Sequence, residues 1–411
     1  SRHLITPRER IRALADDGRL VEHDAFSPSP HLARHGIAAQ DDDGIVCATV
    51  RVGGVQVEVA AQDPGFLRGS VGERHGGKII AAIARARAAR CPLLLFAASG
   101  GVRLHEANAG EIALARALRA LVDARADGIV TLAIGVADVF GGMSVVAAAC
   151  NRLALTPRAR LGLSGPRVIE SVRGRGEMDA ADTAAVDALF GAAARIATGL
   201  ADGIDDDAGA QRGWIARQRA RSWSFAADIL DAQARLQSPD AAEPSPVAIA
   251  FERDRAVLLA FHGEVDAGAL ASVDAQLIAL PPDVRGLLIV EDSRGHDVSA
   301  AAERAGLSRH LAHHALVLGL LRARGVRIVG VVDGVGHSAA FFANALQADA
   351  LFALPASRII AMEPQALARV IGIDAGALAQ AIDTDPLLGH SVRHFAAIGA
   401  LTLVDRLGDA H

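Results

Sequence analysis

Two glycine pairs stand where a backbone could do chemistry. Gly100-Gly101 closes the apolar run that starts at Leu93. Phe140-Gly141-Gly142-Met143-Ser144 follows the apolar run Gly128–Gly135 and leads into the alanine-rich stretch Val145–Cys150. Glycine lets a ligand approach the chain with no Cβ in the way. The first amides of a following helix have no intrahelical acceptor and lie at the positive end of its dipole. Such a turn suits an anion or a developing oxyanion. Donors from two turns could hold one thioester carbonyl oxygen, each contributing roughly 3 kcal/mol where charge builds in a transition state. The alternative use of the same glycines is a tight strand-to-helix turn and nothing more. A third turn of this kind, Gly336-His337-Ser338-Ala339, lies in the second half of the chain.

Few side chains near these turns have an obvious catalytic role. His105, Glu106 and His337 follow the turns closely enough to deliver a proton, as water could. Arg103 and Arg167 could hold a phosphate or carboxylate, or simply be solvated. His310, His313 and His314 share a helix face, but no carboxylate or cysteine nearby completes a zinc set, so no metal is expected. Gly334-Val-Gly-His-Ser-Ala339 has the spacing of a dinucleotide fingerprint without the acidic residue after the next strand. Gly336-His-Ser338 also has half of a nucleophile elbow, with His390 or His394 downstream, but the second glycine is missing.

The elements that must position the turns recur. Gly128–Gly135 predicts a buried strand, then the glycine turn, a helix, the short run Arg152–Thr156, and Pro157, Arg160 and Pro166. In the second half, Gly325–Asp333 predicts a strand. It leads to Gly336, the helical run Ala340–Ala348, the run Ala350–Leu354, and Pro355, Arg358 and Pro364. The prolines and arginine match at a constant offset, and aligning Gly141 with Gly336 implies a three-residue insertion between. Upstream, Leu93–Gly101 matches Gly286–Gly295, followed by helical stretches about Ala107–Ala126 and Ala301–Arg324. The reading is a duplicated strand–turn–helix unit.

The chain has 411 residues, 51% of them apolar, which is too long for one ordinary core. The segment Gln237–Pro246 holds three prolines and no apolar face, and predicts a linker between domains 1–236 and 247–411. The net charge is −5, which offers nucleic acid no basic surface. Lys78 is the sole lysine, and the 3 cysteines are too sparse for a disulfide framework, which points to a cytoplasmic protein. The N-terminal residues lack the apolar core of a signal peptide. The run Gly128–Cys150 contains Asp138 and a glycine pair, and reads as strand, turn and helix rather than a membrane span.

These motifs resemble a known family. Gly69-Ser-Val-Gly-Glu-Arg-His-Gly-Gly-Lys78, Ser99-Gly-Gly-Val-Arg-Leu-His-Glu106, Phe140-Gly-Gly-Met-Ser-Val145 and Leu163-Ser-Gly-Pro-Arg-Val-Ile-Glu170 are similar to the carboxyltransferase β half of biotin-independent malonate decarboxylases. Arg309-His-Leu-Ala-His313, Gly330-Val-Val-Asp-Gly-Val-Gly-His-Ser-Ala-Ala-Phe-Phe342 and Ala361-Met362 resemble the γ half of the same enzymes. The resemblance runs from about Gly44 to Val370 and is more specific in the first half. It makes the chain a β–γ fusion of the crotonase superfamily.

What the resemblance implies is an α/β fold of two crotonase-like ββα superhelix domains, a possible oligomer, and decarboxylation of a malonyl thioester. The thioester would sit on an acyl carrier protein through a phosphoribosyl-dephospho-CoA arm. A CoA-transferase-like α subunit would charge the carrier, and this chain would bind no cofactor and need no metal. Loss of carbon dioxide leaves an enolate, whose oxygen the amides of Gly101 and Gly142 would stabilise. Gly100 and Gly141 shape those turns. The turn of the second half (Gly336, His337, Ser338, Ala339) would take the leaving carboxylate or carbon dioxide. Relatives carry glycine where Ala339 stands, but its amide survives. The alternatives are a biotin-dependent carboxyltransferase, which has the same fold, and a non-catalytic scaffold for a malonate-utilising complex.

Overall fold

The structure, a computed structural model, describes residues 5–236, 247–251 and 256–406. The expected linker 237–246 lies outside the described residues. The chain folds into two compact units. The first comprises Ser1–Arg103, Ala117–Phe225 and Val298–Arg309. The second comprises Leu104–Arg116, Ala226–Asp297 and His310–His411. Residues on both sides of position 237 therefore contribute to the first unit.

In the first unit, α1 (Pro7–Leu14) starts with a capping box. Thr6 accepts from the Glu9 amide while the Glu9 carboxylate answers the Thr6 amide, and Pro7 fits the first helical position. The strands are β1 (Val21–His23), β2 (Ile45–Val52), β3 (Val55–Gln62), β4 (Leu93–Ser99), β5 (Thr131–Val139), β6 (Arg152–Leu155), β7 (Arg160–Leu161) and β8 (Asp202–Gly203). They form a sheet in the order β1-β2-β3-β4-β5-β6-β8, with β7 pairing to the end of β5. Gly53 and Gly54 take positive φ at the β2–β3 hairpin, as a two-residue turn requires. From β3 to β8 the pairing is parallel. A parallel sheet is covered on both faces, which is why β4 is buried along its whole length and reads as one apolar run. Helix α2 (Glu73–Ala89) precedes β4. Helix α3 (Ala107–Ala126), after β4, belongs to this unit only from Ala117 onward, and α4 (Gly142–Ala149) follows β5. Ile11, Leu14, Phe96, Ile134, Trp214 and Ile215 belong to one buried apolar cluster.

The second unit repeats the order. Its strands are β9 (Val247–Phe251), β10 (Ala256–Val265), β11 (Gly286–His296), β12 (Arg327–Val332), β13 (Val335–His337), β14 (Ala350–Ala353), β15 (Arg358–Ile360) and β16 (Thr402–Leu403). The main sheet runs β16-β14-β12-β11-β10-β9, antiparallel only at β9, and β13 pairs with β15. The fold is α/β in both units. Arg160 bridges to Gly191 and Arg358 bridges to Ser391, one in each unit.

The observed register revises one expected alignment. Asp138 pairs with Arg160, and Val335 with Arg358, so Gly141 corresponds to Ser338 and not to Gly336. Gly141 has φ +62 and Ser338 has φ +52, so both positions have positive φ. Two helical runs also differ from expectation. The stretch 301–324 is two helices, Ala300–Ala305 and Leu307–Ala323, because Gly306 ends the first in a left-handed cap. The run after Ser338 ends at Ala343, and a 3-10 turn Ala345–Gln347 follows.

Candidate active site

The two glycine turns of the first unit meet backbone to backbone. A Cβ on Gly101 would lie 3.4 Å from the Gly141 Cα, and a Cβ on Gly141 only 3.0 Å from the Gly101 Cα. Both residues have positive φ, +100 and +62. No residue but glycine fits that approach without moving the neighbour.

The amides of these turns divide into engaged and open. Gly100 N–H donates to the Arg68 carbonyl at 2.9 Å, and Gly141 N–H to the Leu163 carbonyl at 2.9 Å. Gly101 N–H was the expected oxyanion donor of its turn. It folds back onto Ser99 Oγ at 3.1 Å, two residues earlier. The neighbouring Val102 N–H has no acceptor among the described residues. Its flanking peptides are the ones bonded to Val71. Gly142 and Met143, the first residues of α4, likewise have open amides among the described residues. The two turns therefore leave the Val102, Gly142 and Met143 amides open among the described residues. Open amides at a helix start, here Gly142 and Met143, can receive an anionic oxygen.

The matching turn of the second unit is built differently. Gly295, at φ +96, packs against the imidazole of His337, whose Nδ1 would lie 3.1 Å from a Cβ there. His337 donates Nδ1–H to the Arg294 carbonyl at 3.0 Å, which leaves Nε2 as an acceptor. A Cβ on Gly336 would meet the Phe341 ring at 2.8 Å, so that glycine serves ring packing. Ala339 is buried. His296 lies close by, and desolvation of its imidazole foremost holds it down to about 4.

The malonate decarboxylase gamma subunit family matches residues 262–409, and the carboxyl transferase domain family matches residues 3–201. Over 200 residues the chain is 36% identical to the malonyl-S-ACP:biotin-protein carboxyltransferase of Malonomonas rubra, covering 44% of this chain. Over 177 residues, 40% of this chain, it is 31% identical to the acetyl-coenzyme A carboxylase carboxyl transferase subunit beta of Fusobacterium nucleatum. The chain spans 63% and 58% of the lengths of these two curated relatives. A chain of the Pseudomonas malonate decarboxylase hetero-tetramer, solved in complex with malonate, is 35% identical. The match covers 58% of this chain and 91% of that one, with a TM-score of 0.51. The chain belongs to the malonate decarboxylase family.

Within this malonate decarboxylase relative, several expected site residues have other duties. Arg103 is 1% exposed and pairs with Asp43 Oδ1 at 2.6 Å, with further bonds to the Asp43 and Ser70 carbonyls. Surface solvation does not fit an arginine so enclosed. Glu106 is buried and His105 half-buried in the 3-10 turn Leu104–Glu106, which belongs to the second unit. Arg167 is exposed near the start of the helix Pro166–Arg173. His313 Nε2 meets Gln233 Oε1 at 2.8 Å, and His314 lies between Asp274 at 2.6 Å and Asn344 at 3.0 Å. Both histidines are bound into side-chain networks. The buried Lys78 Nζ donates to the Asp42 and Ile45 carbonyls, and its desolvation lowers its pKa.

The structure also shows groups that sequence reasoning did not find. Ser99, Ser144, Leu163, Arg195, Glu303 and Ser308 all bond into the first-unit turns or the loop behind them. Glu111 is buried with Oε2 unpartnered among the described residues, and burial alone pushes its carboxyl up to about 8. Only proximity in the fold could have revealed them, since no motif or spacing joins Glu303 to Leu163. Among the described residues, no helix is long and apolar enough to cross a membrane.

Proposed function

We propose that this chain is an enzyme, a carboxy-lyase, that decarboxylates a malonyl thioester carried on an acyl carrier protein. The C–C bond to the carboxylate breaks and carbon dioxide leaves with neither electron of that bond. The pair forms an enolate with its charge on the thioester oxygen. A proton, from a side chain or water, then gives the acetyl thioester. The Gly142 amide, with Val102 beside it, holds that oxygen more tightly as it gains charge than as a ground-state carbonyl. The carrying observation is the open Gly142 amide at the start of α4, next to the glycine–glycine contact. Family membership supports the substrate class, and the Malonomonas relative's name supports the carrier. We place the phosphoribosyl-dephospho-CoA arm on that carrier partner, and the charging step on a CoA-transferase-like subunit.

Replacement of Gly142 by proline tests this reading. Proline is accepted at the first helical position, so the substitution removes the N–H and little else. Turnover of malonyl thioester should fall by about 10²-fold or more, as when one oxyanion donor is lost. A folded Gly142→Pro chain with unchanged turnover would leave the scaffold reading standing. A second reading follows from the Malonomonas relative, in which the acceptor is a biotin-protein. It uses the same enolate but passes the carboxyl group to biotin on a partner. Inhibition of turnover by avidin selects that reading, and indifference to avidin selects plain decarboxylation.

A further inference from the structure

We propose that the segment Val298–Arg309 is a clamp that fixes the Gly141–Gly142 turn, with Glu303 and Ser308 as its positioning residues. The proposal rests on the reading of that turn as the oxyanion donor. The segment belongs to the first unit although it follows that unit's other residues by more than seventy positions.

Both peptide groups of Gly141 are engaged. Its N–H donates to the Leu163 carbonyl at 2.9 Å, and its carbonyl accepts the Ser144 hydroxyl at 2.7 Å. Each of those partners is held in turn by the clamp. The Leu163 amide donates to Glu303 Oε1 at 3.1 Å and the Ser164 amide to the same oxygen at 2.7 Å. Ser144 Oγ lies 2.7 Å from Ser308 Oγ. Since the Ser144 proton is given to the Gly141 carbonyl, the Ser308 hydroxyl donates in this pair. Both polar groups of Gly141 are thus set at one remove by residues of a single segment.

The clamp is itself anchored. Glu303 and Arg195 are each 3% exposed by side chain, with Nη2 and Oε2 3.2 Å apart. Arg195 also donates to the Glu303 carbonyl at 2.6 Å and, through Nε, to the Leu161 carbonyl at 2.8 Å. A buried carboxylate needs such partners, and here two backbone amides and a guanidinium supply them. The glycines fit the same purpose. A Cβ on Gly162 would meet Glu303 Oε2 at 2.8 Å and the Phe190 ring at 2.7 Å. A Cβ on Gly306 would meet Leu200 at 2.7 Å. Both residues let the segment lie close. Ser299 caps the helix that carries Glu303, and Gly306 ends it, so the carboxylate projects from a fixed turn.

The test uses the full chain with Glu303→Ala, Glu303→Gln and Ser308→Ala. Turnover of malonyl thioester is measured together with amide exchange, by mass spectrometry, of peptides covering 141–144 and the β2–β3 hairpin. A donor displaced by about an ångström costs on the order of 10² in rate, so Glu303→Ala should lower kcat about 100-fold with little change in KM. Glu303→Gln keeps an oxygen for both amides and should recover most of that loss. Ser308→Ala should lower kcat about 10-fold. Exchange should rise at 141–144 and stay unchanged in the hairpin. Unchanged exchange at 141–144 overturns the clamp. So does exchange that rises equally throughout the unit, with glutamine no better than alanine. If the parent chain turns over no malonyl thioester, the proposed function fails, and the exchange measurement still decides the clamp.

Discussion

Gly141 has φ +62 and ψ −149, a region that essentially only glycine occupies, and its Cα side faces Gly101. Gly141→Ala should therefore cost about 1–3 kcal/mol from backbone strain. The 3.0 Å approach of its Cβ to Gly101 would push the two turns apart. Urea denaturation should show the loss of stability, and turnover should drop at least as far as in Gly142→Pro. A milder variant that keeps full turnover would show that the contact between the turns is packing alone. Glu111 makes a second prediction at this scale. Its carboxyl sits near 8 in the fold, above the ordinary 4.5, because burial opposes its charge. The folded chain therefore holds this proton more tightly than the unfolded chain. Its stabilising effect is complete below about pH 4.5 and is lost as pH rises through 8. Glu111→Gln should raise stability by a few kcal/mol at pH 9 relative to the parent and change it little at pH 4.5. Denaturation at the two pH values checks it, and an equal difference at both would refute the assignment.

At the scale of the elements, the loop after β4 is held by a buried ion pair. Arg103 joins Asp43 and the Ser70 carbonyl, and its guanidinium lies 5.4 Å from the Phe66 ring centroid. Asp43 answers with a bond from the His75 amide at 2.9 Å. Removing one partner leaves the other charge buried, which costs about 3–5 kcal/mol. Arg103→Ala should lose that much in denaturant melts, while any folded fraction binds the thioester with an unchanged KM. A selective rise in KM with full stability would return Arg103 to substrate binding. The sequence made these strands readable because parallel strands buried on both faces are long aliphatic runs. Leu93–Gly101 could be seen for that reason, whereas Gly286–His296 alternates buried with half-buried or exposed positions and is legible from its apolar start, Leu287–Val290. The glycine turns were readable because a Gly-Gly pair at the end of such a run marks a backbone that must turn sharply or approach another closely. The role of Arg103 was not readable, since Asp43 is sixty residues away and no local pattern joins them. The alignment of Gly141 with Gly336 failed for a different reason. Residue type suggested it, but the ladder register pairs Gly141 with Ser338, a serine held at φ +52.

At the scale of the whole molecule, the two family matches divide the sequence near its middle, while the first compact unit does not respect that division. Residues 298–309 lie inside the span that matches the gamma subunit family, yet belong to the unit formed by the carboxyl transferase match. The first unit is therefore incomplete when the chain is cut between 225 and 298. Residues 1–236 produced alone would leave Arg195 buried without Glu303, and would take from the Leu163 and Ser164 amides the carboxylate they donate to. An unpaired buried charge costs about 3–5 kcal/mol, a large share of the 5–15 kcal/mol that holds a typical domain together. The fragment should melt well below the intact chain or aggregate. Adding residues 237–411 as a separate chain should restore both the melting temperature and malonyl-thioester turnover, because the clamp needs only to be present and not covalently joined. Carrying Glu303→Ala in the added chain separates the two effects. It should still bind through the remaining contacts of the segment, but restore turnover about 100-fold less well. A fragment 1–236 that melts like the intact chain and decarboxylates unaided would show that the segment contributes nothing to the turn.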